Sequence, residues 1–152
     1  MRARRAADTL ERMDFAAALA FAVEHRNGVL TTQKRDGRPQ LSNIVYHLGT
    51  DDIFRVSITA TRVKYRNMVR DPRISLHVAR PDFWAYVVFE GDADLAPVAQ
   101  DPHDATVDEL VDLYRSIGGE HEDWDAYRAA MVADERLVVR LRPTHVYGML
   151  PA

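Results

Sequence analysis

With 152 residues, a formal net charge of -3 and 47% hydrophobic residues, the chain fits one domain with a real core and argues against a general nucleic-acid-binding surface. It has no cysteine, which excludes disulfides, thiol catalysis and cysteine-based metal sites. The six histidines are scattered without i, i+4 spacing, so no metal site is expected.

Met1-Arg2-Ala3-Arg4-Arg5 ahead of the apolar run Phe15 to Val23 has the outline of a signal peptide. Asp8, Glu11, Arg12 and Asp14 intervene, however, and the run is too short to span a bilayer. Phe15, Leu19 and Val23 recur every fourth residue, with Asp14 where an N-cap belongs. This predicts an amphipathic helix to about Glu24, and a cytoplasmic protein with no membrane partner. Residues 1–14 read as a polar extension and residues 15–150 as the single domain.

Asn27-Gly28 ends the helix and leads into a first strand, Val29 to Lys34. Arg35-Asp36-Gly37-Arg38 is a hairpin turn, because Asp-Gly supplies the positive φ such turns need. A second strand runs from Pro39 to about Leu48, and a third from Ile53 to Ile58. A basic helix follows and stops at Asp71-Pro72. Alternation of Ile74, Leu76 and Val78 marks a fourth strand, Arg73 to Val78. Trp84 to Leu95 reads as a long fifth strand with a bulge or bend at Gly91. Two helices, Thr106 to Ile117 and one capped by Asp123 through Ala133, precede a last strand, Arg136 to Leu141. Val146 to Met149 is a candidate return to the sheet. Short strands joined by hairpins and interrupted by helices predict an α+β protein, mainly β, built on an antiparallel barrel. A small barrel fills its own interior, so a ligand the size of a cofactor sits outside it or at a subunit interface.

The stretch from Ser57 to Asn67 carries the strongest chemical signal. Thr59 or Thr61 can cap the basic helix, which places Arg62 and Lys64 in or beside its first turn. A helix N-terminus is electropositive, so cations there carry a cost, and no acidic residue between Ile53 and Arg70 offsets Arg62, Lys64 and Arg66. The segment is either an anion socket, in which backbone N–H groups and side-chain charges converge on a phosphate or carboxylate, or an exposed basic turn that binds nothing.

Three further places can carry chemistry. Gln40 and Ser42 share one face of the second strand and Leu41 and Asn43 the other; the polar groups suit either the edge of a heterocycle or solvent. Trp84 and Tyr86 share a strand face, as an aromatic wall for a ring or a partner subunit, or as core. His145 can polarise a carbonyl, donate a proton, or serve structure alone. No nucleophile elbow, phosphate-cradling glycine loop or paired carboxylate is present, so no catalytic side chain is assigned and any reaction falls to a cofactor.

Several segments, in order and spacing, resemble one family. They include Gly28-Val29-Leu30-Thr31-Thr32, Asp36-Gly37-Arg38-Pro39-Gln40-Leu41-Ser42-Asn43, Val56-Ser57-Ile58, and Arg62-Val63-Lys64-Tyr65-Arg66-Asn67 with Asp71-Pro72-Arg73. Later come Glu90-Gly91, Leu113-Tyr114-Arg115, Gly119-Glu120-His121, Trp124-Asp125 and His145-Val146-Tyr147-Gly148. The chain resembles the flavin/deazaflavin oxidoreductases of the split β-barrel fold, in the pyridoxamine-phosphate-oxidase-like superfamily, and within it the actinobacterial class that uses coenzyme F420.

The resemblance implies an FMN-binding-type split barrel of six to seven antiparallel strands with flanking helices. It implies a homodimer with cofactor sites at the interface, and hydride transfer from C5 of reduced F420 to a small-molecule acceptor. F420 is a deazaflavin with a phosphodiester and an oligoglutamate tail. Ser57, Ile58 and Thr59 would hold the ring's polar part and the ribityl chain, and Arg62 and Lys64 the phosphate and tail, with Asn67 nearby. Gln40, Ser42 and Asn43 would lie near the ring edge, and Trp84 and Tyr86 would come from the partner, with His145 near the pocket. An FMN-binding protein of the same fold and a non-catalytic F420 carrier are the competing readings.

Overall fold

The computed structural model describes residues 13–151; most of the expected polar extension, residues 1–12, lies outside the described residues. In chain order the elements are α1 (Phe15–Val23), β1 (Asn27–Gln33), β2 (Pro39–Val45), β3 (His47–Leu48), β4 (Phe54–Thr59) and α2 (Val63–Arg70). They continue with β5 (Arg73–Ala79), β6 (Tyr86–Leu95), α3 (Ala105–Gly118), α4 (Trp124–Ala133), β7 (Arg136–Leu141) and β8 (His145–Met149).

The strands form one curled antiparallel sheet in the order β2-β1-β5-β6-β7-β4-β3, with β8 added on β6. This is the expected α+β split-barrel architecture. The long strand β6 makes the split possible. It pairs with β8 through Glu90 and with β7 from Ala93 onward, so the bend falls between them. Gly91 stands at that bend, where a Cβ would lie 2.9 Å from the Arg142 carbonyl oxygen. Only glycine lets the backbones approach so closely.

Alternation explains the barrel interior. Phe54, Val56 and Ile58 of β4, Ile74, Leu76 and Val78 of β5, and Leu137, Val139 and Leu141 of β7 all point into one core. Val138, on the opposite face of β7, is also buried, because Val107, Leu110 and Val111 of α3 and Met131 of α4 pack over it in a second core.

Four local expectations are corrected. The second strand is not continuous to Leu48: it ends at Val45, the Tyr46 N–H makes one last bond to the Arg26 carbonyl in the β1 register, and His47 and Leu48 then pair with β4 instead. Tyr46 is buried, its hydroxyl donates to the Ala22 carbonyl at 2.6 Å, and burial raises its pKa. The two ends of the sheet path, β2 and β3, thus meet through Tyr46 along the chain.

The buried face of α1 is Ala18 and Ala22, whereas Phe15 and Val23 are exposed. Small alanines let this helix lie close against the barrel. The fifth strand begins at Tyr86 rather than Trp84. The Asp82 carboxylate accepts from the Trp84 N–H, Phe83 adopts φ 64°, and the turn holds Trp84 outside the strand. Trp84 and Tyr86 therefore do not share a strand face.

The basic helix is capped by neither threonine. Thr59 ends β4, and the Arg62 N–H donates back to the Thr59 carbonyl, so Thr61 lies inside the turn and Arg62 takes the N-cap position. Arg62 makes no side-chain cap bond, and the first turn holds no acid.

Candidate anion-binding site

The end of β4, the turn after it and the start of α2 border a cavity of about 450 Å³. Ser57, Ile58 and Thr59 reach it from β4, Arg62 and Lys64 from the cap and first turn, and Gln40 and Ser42 from the inward face of β2. Seven of the twelve residues singled out from the sequence thus converge on one pocket, in which no lining residue is acidic. Leu41 and Asn43 point the other way, as the two-residue period requires.

One lining residue escaped sequence reasoning. Arg136 opens β7 and pairs across the sheet with Thr59. Its Nη1 donates to the Ser57 hydroxyl at 3.5 Å, the outer limit of such a bond, and its Nε is buried with no partner. In the sequence Arg136 is one cation at the head of an apolar strand; the register alone brings it to the pocket.

Among the described residues, Arg62, Lys64 and Arg136 make no salt bridge, although eight arginine–carboxylate pairs form elsewhere. Lys64 has its pKa lowered by burial first, then by the charges of Arg62 and Arg136. An anion in the pocket would relieve this repulsion. The residues present therefore fit a phosphate- or carboxylate-bearing group. Beside the cations lies a more apolar trough of about 530 Å³, walled by Tyr114, Ile117, Tyr127 and Met131 and sharing Ser57, Lys64 and Arg136 with the first cavity.

The other five residues lie elsewhere. Asn43 faces the trough and an outer groove rather than the cation cavity. Asn67 is buried, and its side chain is engaged by Thr32 and Arg70. Tyr86 stacks on His77, and Trp84 projects into solvent beside Phe83. His145 is on β8, with Nε2 3.7 Å from a Glu90 carboxylate oxygen, beside a separate cavity. Among the described residues, no group of three or more acidic or histidine side chains is placed to hold a metal, and no helix is long and apolar enough to cross a membrane.

The fold has known counterparts. A conserved hypothetical protein from Mycobacterium tuberculosis superposes with a TM-score of 0.70 at 22% identity, over 94% of this chain and 92% of that one. A protein described as an F420 reductase superposes at 0.64 with 25% identity, over 89% of this chain and 97% of that one. A putative pyridoxamine 5'-phosphate oxidase from Listeria innocua superposes at 0.58 with 15% identity, over 88% and 94%. The sequence profile of the pyridoxamine 5'-phosphate oxidase family matches residues 15–150, and so this split-barrel chain belongs to that family.

Proposed function

We propose that this protein is a cytoplasmic, homodimeric oxidoreductase that binds coenzyme F420 and uses it to reduce a small organic acceptor. The observation that carries the reading is the acid-free pocket in which Arg62, Lys64 and Arg136 meet the uncapped N-terminus of α2, with one buried guanidinium nitrogen unpartnered. A deazaflavin with a phosphodiester and a polyglutamate tail supplies several anionic groups for these cations. The resemblance to an F420 reductase supports the same cofactor.

In this reading Arg62, Lys64 and Arg136 bind the anionic part, while Ser57, Thr59, Gln40 and Ser42 hydrogen-bond the neutral polar part. When bound, the reduced cofactor supplies the hydride. The chain's residues hold donor and acceptor together and keep water away, which is most of what such a reaction asks of a protein. The cation pocket offers no carboxylate or histidine for proton transfer, so solvent supplies the second proton.

The dimer reading rests on the outer sheet face. Registers place Asn43, Val29, His77, Val88 and Tyr147 in one row across five strands. Leu41, Val45, Phe83, Trp84 and Met149 are all exposed. Apolar exposure on this scale suits a subunit contact, and it offers Trp84 and Tyr86 to a second copy.

FMN is the alternative cofactor, favoured by the family itself. A fluorescence titration with F420 and with FMN, on wild type, Arg62→Ala and Lys64→Ala, separates the two. Tighter F420 binding is expected, weakened by either substitution and by added salt. Equal or tighter FMN binding, or indifference to both substitutions, overturns the F420 reading. Oxidation of reduced F420 by quinones, tetrapyrroles or unsaturated carbonyl compounds tests turnover; none across the panel leaves a carrier.

A further inference from the structure

A chain of side-chain hydrogen bonds runs from the far end of α2, through the barrel wall, into the cation pocket. The Arg70 guanidinium donates to the Gln33 carbonyl at 2.6 Å and to Asn67 Oδ1 at 3.1 Å. Asn67 Nδ2 donates to Thr32 Oγ1 at 3.1 Å. Thr32 Oγ1 donates to Gln40 Oε1 at 2.9 Å. Gln40 Nε2 donates to Ser42 Oγ at 3.0 Å.

Chemistry fixes the direction of every link. A guanidinium has donors only, so it must face the oxygen of Asn67. That leaves the Asn67 amide N–H for Thr32. Thr32 is 0% exposed and already accepts from Asn67, so its one proton must go to Gln40 Oε1. Flipping the Gln40 amide would turn its N–H groups toward Thr32 and strand the buried Thr32 hydroxyl proton without an acceptor. Gln40 Nε2 therefore faces Ser42, and Ser42 Oγ accepts.

Among the described residues the Ser42 hydroxyl finds no acceptor for its own proton, and Ser42 lines the pocket. Ser57 is in the same position, since its hydroxyl accepts from Arg136 Nη1. With Arg62 and Lys64, the polar side chains these residues turn to the pocket are donors.

We propose that Arg70, Asn67 and Thr32 are positioning residues: acting through Gln40, they polarise Ser42 so that it donates to a carbonyl or phosphoryl oxygen of the bound ligand. The inference rests on the cofactor reading above for the identity of that ligand, but not for the polarity of the chain. It gives Asn67 a role at one remove from the ligand. It also makes the pocket select for acceptor edges by hydrogen bonding as well as by charge.

The test has a ligand-free arm and a binding arm. In the first, NMR of the purified protein should show a slowly exchanging Thr32 hydroxyl proton and a Gln40 side-chain amide in one fixed orientation, its protons toward Ser42. Both signatures should vanish in Thr32→Val and survive in Thr32→Ser. In the second, the Kd for F420, FMN and inorganic pyrophosphate is measured in Thr32→Val, Thr32→Ser, Ser42→Ala and the Thr32→Val/Ser42→Ala double variant.

Thr32→Val should weaken F420 binding about tenfold and Thr32→Ser less than about threefold. In the Ser42→Ala background Thr32→Val should add less than about twofold, because its effect passes through Ser42. A loss seen with pyrophosphate assigns the acceptor to a phosphoryl oxygen; a loss confined to F420 and FMN assigns it to a carbonyl. Additive losses in the double variant, or Gln40 Oε1 facing Ser42 by NMR, overturn the proposal. If wild type binds neither F420 nor FMN, the cofactor reading fails, and the ligand-free arm still decides the polarity of the chain.

Discussion

Replacing Arg136 separates a binding role from a structural one, because the two predict opposite changes in the ligand-free protein. Its Nε is buried without a partner, and an unsatisfied buried donor costs about 1–3 kcal/mol. Its one side-chain bond, 3.5 Å to Ser57 Oγ, returns little. Its charge also lies close enough to Lys64 to lower that group's pKa. Arg136→Met keeps an unbranched chain of similar length while removing the orphaned N–H and the repulsion. The ligand-free protein should be no less stable, with Tm unchanged or raised by up to ~12 °C, from about 1–3 kcal/mol at about 2–4 °C per kcal/mol for a chain of this size.

Cofactor binding should move the other way. A charge-assisted hydrogen bond is worth about 1.5–3 kcal/mol, so the Kd for F420 should rise roughly 10- to 150-fold. Arg136→Lys, which keeps the charge but loses the fork, should fall between. Thermal unfolding by circular dichroism and fluorescence titration read the two effects on one sample. A Tm several degrees lower with a Kd within twofold of wild type would refute the reasoning and make Arg136 a structural residue.

Other outcomes follow from the same geometry. Lys64 is held below its ordinary pKa in the free protein, and an anionic ligand should restore it, so binding takes up a proton at high pH. Affinity should be flat below the free-state pKa, fall with rising pH between the free-state and bound-state values, and level off above the latter, and Lys64→Arg should flatten the profile. Gly148 has φ +149°, and a Cβ there would lie 2.2 Å from the Tyr86 carbonyl oxygen. Gly148→Ala should therefore cost about 2–4 kcal/mol by denaturant unfolding, through strain and a displaced β8; a change under about 0.5 kcal/mol would contradict the packing of β8 on β6. Val45 is 45% exposed on the outer sheet face. Val45→Asp should leave Tm within a few degrees while shifting sedimentation from dimer toward monomer, and a wild type that sediments as a monomer would refute that interface.

Much of the scaffold was legible along the chain because it is local. Alternation of Ile74, Leu76 and Val78 marked a strand over Arg73 to Val78, and the apolar run before Pro143 marked one over Arg136 to Leu141; both are strands. Asp36-Gly37 marked the hairpin, and Gly37 does adopt φ 85°. Asp14 and Asp123 marked helix starts that their carboxylates do cap. The misread places are those where a side chain answers to a distant partner. Tyr46 stands where the chain passes from β1 to β4, with its ring buried and its hydroxyl bonded to the Ala22 carbonyl. Ala18 and Ala22, rather than the larger Phe15 and Val23, are the residues of α1 fully buried against the core, with Leu19 and Phe21 packed at its edge.

The candidate site divides the same way. Composition by itself determined that a run of cations without acids stands at the start of a short helix, and alternation determined that Gln40 and Ser42 face together, because charge order and strand period are properties of the chain. Only the tertiary structure decided which of these groups meet. Arg136 joins Ser57 from 79 residues away because β4 pairs with β7. Asn67 turns from the pocket toward Thr32 because α2 packs on β1, and His145 stands apart because β8 adds to β6, two strands along the sheet from β4. Register and crossing set those distances, and no periodicity along one strand encodes which other strand will lie beside it.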